Sequence, residues 1–171
     1  MWSIKQRFIR WKLKRAAQAN IKRETVPFDQ VRTVGILFVD EGSVSAGKIT
    51  VFAERLREQG KQVKVLGFMA KPPKEEVKNR FSAKDFSLTG TLTDPGDFVE
   101  KKFDHLLYFG PSPELPLQHV LLHSQARCRM GAYHEEHTEC FEFMVKGPSP
   151  AQWDDIFNTI TAYSQKLRTA S

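Results

Sequence analysis

At 171 residues, 40% apolar and 27% charged, the chain is long enough for one domain with a proper core and has the composition of an ordinary globular protein. No run approaches the roughly 18 consecutive apolar residues of a membrane span, the N-terminus carries charges where a signal peptide needs its apolar segment, and the two cysteines, Cys128 and Cys140, make neither a disulfide framework nor a zinc pattern. The expectation is a cytoplasmic protein with reduced thiols. Of its net charge of +6, all the excess sits in one place: the first 23 residues carry eight Lys and Arg and no acid, which leaves 18 bases against 20 acids over the rest.

Residues 2–19 lack Gly and Pro and read as a helix rich in Lys, Arg, Gln, Ala and Leu. At about 100° per residue, Ile4, Phe8 and Trp11 form one stripe and Trp2, Ile9 and Leu13 a nearly opposite one, with bases on the flanks. An interfacial membrane helix needs a single apolar side. Two opposed stripes fit a helix that packs on its own domain with one side and meets a partner with the other. An Arg-rich, acid-free segment also has the composition of an organelle-targeting peptide. The division expected is a basic helical appendage, 1–23, followed by a single α/β domain, 24–171.

After a linker containing Pro27, Thr33 to Val39 is a nearly continuous apolar run, as in a strand buried on both faces. Ile49, Phe52, Ala53 and Leu56 then give a helical stripe that ends at Gly60. Gln62 to Phe68 reads as the second strand and Lys71-Pro72-Pro73-Lys74 as a break. Beyond it the pattern suggests a short helix from Lys74 to Asn79, a short strand over Arg80 to Ala83, and a loop carrying Phe86 and Gly90. Asp94-Pro95 opens a helix with Phe98, Val99 and Phe103 inward. His105 to Phe109 is the next strand, followed by a helix from Leu117 to about Gln125 and a strand over Arg127 to Tyr133. Phe141, Phe143 and Val145 alternate with polar neighbours, as at a sheet edge, and Ser149-Pro150-Ala151-Gln152 caps a last helix with Trp153, Ile156, Phe157, Ile160, Ser164 and Leu167 in its stripe. Strand and helix alternate throughout, so the fold class is α/β: a three-layer, mostly parallel Rossmann-like open sheet preceded by a basic N-terminal helix.

Three motif-like patterns fall short. Gly42 to Lys48 has the context of a phosphate-binding loop, but Ile49 stands where a hydroxyl would hold magnesium, and Ile49 belongs to the core stripe. His134-Glu135-Glu136-His137 is one residue short of the H-E-x-x-H spacing that puts two histidines on one helical face, and reads as loop. His119 and His123 point away from the Leu117 stripe, which predicts exposure to solvent. No G-x-S-x-G elbow and no G-x-G-x-x-G turn occurs, so no catalytic residue, metal or cofactor is assigned. Polar residues at the expected strand ends remain as a ligand-cleft set: Asp40, Gly42, Ser43, Lys48, Glu135 and Glu136.

Leu66-Gly67-Phe68, Lys84-Asp85-Phe86 with Gly90, Phe103-Asp104, Pro116, and Gly131 followed by Glu135-Glu136 and Thr138 give the stretch from about Val34 to Thr161 a resemblance to a family of small bacterial proteins of unknown function. Those proteins carry a short basic helix before an α/β domain. The chain departs from their pattern at Tyr108, where an acidic residue is usual, and at His134 and His137, where asparagines are. Phe103 to Gly131 also resembles a segment of heptosyltransferase-type glycosyltransferases, which implies a shared fold more than a shared activity.

The function expected is that of a non-enzymatic binding protein whose basic helix docks on an acidic partner, RNA or a ribosomal particle first. Lys5, Arg7, Arg10, Lys12, Lys14 and Arg15 would carry the electrostatics, and Trp2, Phe8 or Trp11 would stack or pack. The alternatives are a small-molecule or nucleotide-sugar enzyme or sensor using the strand-end cleft, and a protein associated with an anionic membrane.

Overall fold

The computed structural model describes residues 2–17, 21–72, 74–85 and 96–146, and Asn158, Thr159, Ala162, Tyr163 and Lys166 from the C-terminal segment, all five of them helical. The side chains of Trp2, Lys5 and Ser43 lie outside this description, as do the capping sequence 149–152 and the helical stripe read over 153–167, and the Phe86, Gly90 and Asp94-Pro95 readings.

Among the described residues six strands, β1 (Thr33–Val39), β2 (Gln62–Met69), β3 (Arg80–Ser82), β4 (His105–Phe109), β5 (Cys128–Ala132) and β6 (Phe143–Val145), form one sheet in the order β3-β2-β1-β4-β5-β6, every pair parallel. β1 is central, with Ile36 level with Val65 on one side and Leu107 on the other. The chain runs outward from β1 to β3, returns, and runs outward again from β4 to β6. The reversal falls between β1 and β4, where an open α/β sheet leaves a crevice beyond its strand ends.

Alternation along β1 divides the core. Val34, Ile36 and Phe38 join Ile49, Phe52, Ala53 and Leu56 of α2 (Ser43–Glu58) on one face. Leu37 and Val39 join the other, with Phe98 of α3 (Gly96–Glu100) and Leu117, Val120 and Leu121 of α4 (Leu115–His123). The basic N-terminal helix, α1 (Trp2–Ala17), lies on this second face and adds Ile9 and Leu13 to the cluster that holds Cys140 and Phe141. The position matters because β5 and β6 are joined only by a 3-10 turn, Glu135–Cys140, and so bring no crossover helix of their own. Within β1, Gly35 is required by packing: a Cβ there would stand 2.8 Å from the Phe103 ring.

Two readings are corrected. The helix expected over Lys74 to Asn79 is absent; those residues make bends and a turn, and Asn79 adopts a left-handed φ of 58° as it enters β3. Six residues are too few to offset helix nucleation without a packed face. α4 stops at His123, ahead of Gln125, because Ser124 turns out of the helix at φ −56°, ψ 138°. β6 is the edge strand that its alternation indicated.

Candidate functional site: a two-walled groove beside the basic helix

α1 uses its two stripes differently. Ile9 and Leu13 are buried, whereas Ile4, Phe8 and Trp11 are 73%, 44% and 51% exposed. The outward rings are organised: Phe8 and Trp11 stack with centroids 5.9 Å apart, the Arg15 guanidinium lies 4.9 Å from the Trp11 ring, and the Lys12 ammonium lies 5.3 Å from that of Phe8. Arg7, Arg10 and Lys14 are exposed and, among the described residues, take part in no ion pair.

The expected exposure of His119 and His123 is overturned here. His119 is buried and stacks on His123 with ring centroids 4.0 Å apart. Their side of α4 turns away from the Leu117 stripe but toward α1, and a second helix covers it. Burial, followed by the neighbouring His123 and Lys12, pushes His119 down to about 3.

Between α1, the start of α4, the 3-10 turn Ala83–Asp85 and the turn Glu135–Cys140 lies a groove of about 1270 Å³. Arg7, Arg10, Trp11 and Lys14 line the wall formed by α1, with Leu13; Glu114, Glu136, His137 and Glu139 line the wall formed by the start of α4 and the Glu135–Cys140 turn, with Leu122. His137 sits at a kink in its turn, φ −133°, ψ 34°. Its Nδ1 has no hydrogen-bond partner among the described residues, with the nearest Glu139 carboxylate oxygen 4.0 Å away. Nε2 of His134 is likewise buried without a partner, and burial, then the nearby His137, holds the His134 ring below its ordinary pKa.

The exit of β1 is closed on itself. Asp40 Oδ2 accepts a hydrogen bond from Arg80 Nε at 2.5 Å, and the Arg80 guanidinium lies 4.8 Å from the Phe38 ring. The other Asp40 oxygen accepts the Gly42 N–H at 3.1 Å; the Ser45 hydroxyl accepts the Glu41 N–H and donates to the Gly42 carbonyl. Two amides that a bound phosphate would use are thus already paired, and Gly42 holds a φ of 126° that a side chain would strain. Lys48 and Glu135 are exposed.

The structure therefore regroups the expected residues. Glu136, from the ligand-cleft set, faces Arg7, Arg10, Trp11 and Lys14, from the helix set, across one groove, whereas Asp40, Gly42, Lys48 and Glu135 do not line it. His137 and Glu139 belong to no expected site: His137 ends the His134–His137 pattern that falls short of a metal spacing, and Glu139 sits in the same polar run between two strands, which a solvated loop would share. Cys128 and Cys140 are buried, and burial pushes both thiols up to about 12. Among the described residues, no group of three His, Cys, Asp or Glu could hold a metal ion, and no helix is long and apolar enough to cross a membrane.

Residues 5–167 match the model of a family of unknown function (DUF6913). No curated protein and no solved structure matches the chain.

Proposed function

We propose, from the premise that this chain belongs to that family of unknown function and takes no activity from a relative, that it is a non-enzymatic cytoplasmic binding protein whose basic N-terminal helix docks on an acidic partner, with RNA or a ribosomal particle the first candidate. The observation that carries the reading is the division of labour on α1. Ile9 and Leu13 fasten the helix to the core cluster it shares with α4, while Arg7, Arg10 and Lys14 are exposed and, among the described residues, take part in no ion pair, around a half-exposed Trp11. Exposed cations beside an aromatic surface are what a phosphate backbone and its bases require.

The small-molecule reading has less to stand on, because the Asp40 carboxylate is engaged with both the Gly42 amide and Arg80. The membrane reading gains one specific observation. With Ile9 and Leu13 turned inward, Ile4, Phe8 and Trp11 form a single outward apolar stripe next to bases, as an interfacial helix needs.

The test titrates full-length protein and the R7Q/R10Q/K14Q variant against labelled RNA and against anionic liposomes over a range of salt. All three positions are exposed, so the variant keeps the fold. The reading expects RNA binding with a steep salt dependence whose log–log slope becomes shallower by about 2 in the variant, at roughly 0.7 per phosphate contact on a single strand. Binding to liposomes alone would transfer the helix to the membrane reading. Absence of both would overturn the charge argument.

A further inference from the structure

The two walls of the groove are of opposite sign, which constrains how a polyanion lies against them. Resting on the RNA reading above, we propose that the groove takes single-stranded RNA in one orientation, with its phosphates along α1 and its bases turned toward the carboxylate wall.

Arg7, Arg10 and Lys14 stand at i, i+3 and i+7, on one face of α1 and spread over about 10 Å of its axis at 1.5 Å per residue. That is the reach of a few nucleotides of backbone. Trp11 lies between them on the same wall and is half exposed, which supplies a stacking surface. The facing wall repels phosphate but suits bases. Carboxylates of Glu114, Glu136 and Glu139 accept hydrogen bonds from ring and exocyclic N–H groups, which an unpaired base offers on its Watson–Crick edge. His137 also lines this wall, its Nδ1 turned toward Glu139 at 4.0 Å from the nearest carboxylate oxygen.

A duplex meets neither condition. Its Watson–Crick donors are already paired, and phosphates run along both of its edges, so one strand on the cationic wall brings the other toward the carboxylates. Discrimination against duplex is built into the acid wall, and affinity into the basic one.

Fluorescence anisotropy on the full-length protein tests this with a labelled single strand of about 12 nucleotides and a duplex of the same sequence at one low salt concentration. Wild type, W11A and E136Q/E139Q are compared, with thermal melts to show that each is folded; the substituted side chains are all at the surface or in the groove. The single strand is expected to bind about tenfold tighter than the duplex, and W11A to lose about tenfold on the single strand alone, the effect of one lost stacking contact. In E136Q/E139Q the duplex gains affinity and the preference falls to within about twofold, as repulsion is relieved. Equal binding of both forms by wild type, or an equal gain for both in the double variant, overturns the oriented groove and leaves the docking of α1 on RNA intact. Failure of wild type to bind either form overturns the RNA reading and this inference with it.

Discussion

Burial of the Arg129 guanidinium is compensated on every side. It enters the core from β5, 5% exposed, and meets Glu142 through Nε and Nη2, the Leu121 carbonyl through Nη1 and the Glu139 carbonyl through Nη2. Arg23 lies 3.5 Å from the same Glu142 carboxylate and donates to the Ala126 carbonyl, so one acid ties the segment after α1 to β5 and β6. Replacing Arg129 by Met removes the guanidinium from the Leu121 and Glu139 carbonyls and leaves Glu142 with Arg23 and the backbone N–H of residue 129. R129M is expected to lower the unfolding free energy by about 3 kcal/mol in urea titrations, and a loss under about 1 kcal/mol would show the network to be dispensable. Nothing in the sequence singles out Arg129, because a charged residue in a strand ordinarily faces water and its compensating acid lies 13 positions on. Asp40 illustrates the converse. Its place at a strand end was legible, but its pairing with Arg80 depends on β2 and β3 closing beside β1, which local sequence does not encode.

α1 is the element on which stability and the proposed function both turn. Leu13 is 4% exposed in the cluster it shares with α4, so Leu13→Ala is expected to cost about 2–5 kcal/mol, whereas Trp11→Ala, on the outward stripe, should change stability by only about 0.5 kcal/mol. Equal losses in calorimetry would mean that the helix does not sit with Ile9 and Leu13 inward. Covering α4 also creates a pH dependence. His119 is held far below its ordinary 6.5 by burial, then by His123 and Lys12, so on acidification the unfolded chain binds the proton first. The stability gained from the neutral imidazole is whole above about pH 6.5 and is lost as pH falls from there toward 3. Between pH 7 and 5, H119L should flatten the fall in unfolding free energy by up to about 1.4 kcal/mol per pH unit, one proton's worth. An unchanged slope would place His119 in contact with solvent. Asp104 does not confuse this window. Although burial raises its pKa, hydrogen bonds from the Arg32 and Thr33 amides and from Arg127 outweigh that and hold it below the usual carboxylate value, so its contribution is lost only in stronger acid.

Across the molecule, the sheet order leaves β5 and β6 without a crossover helix on the α4 face, and α1 supplies Ile9 and Leu13 to the cluster there. A chain begun at Glu24 would expose that cluster and leave His119 uncovered. Such a chain is expected to melt well below the full-length protein and to bind a hydrophobic dye; a melting temperature equal to that of the full chain would show residues 1–23 to be energetically separate. For the same reason charge substitutions on α1, which leave Ile9 and Leu13 in place, are the sounder probe of its partner.

Fold class and the position of most elements were legible in the sequence, since they follow from short-range periodicity: the continuous apolar run of β1, the i, i+3, i+4, i+7 stripe of α2, and the alternation of β6. So were the two opposed apolar stripes of α1, of which one is buried and the other exposed. Which stripe turns inward, that His119 lies beneath it, that Asp40 is paired with Arg80, and that Glu136 faces Arg7 and Lys14 across a groove were decided by the tertiary structure. Each depends on residues far apart in the chain, brought together by strand order and by the packing of α1 on α4, and no local pattern carries that information.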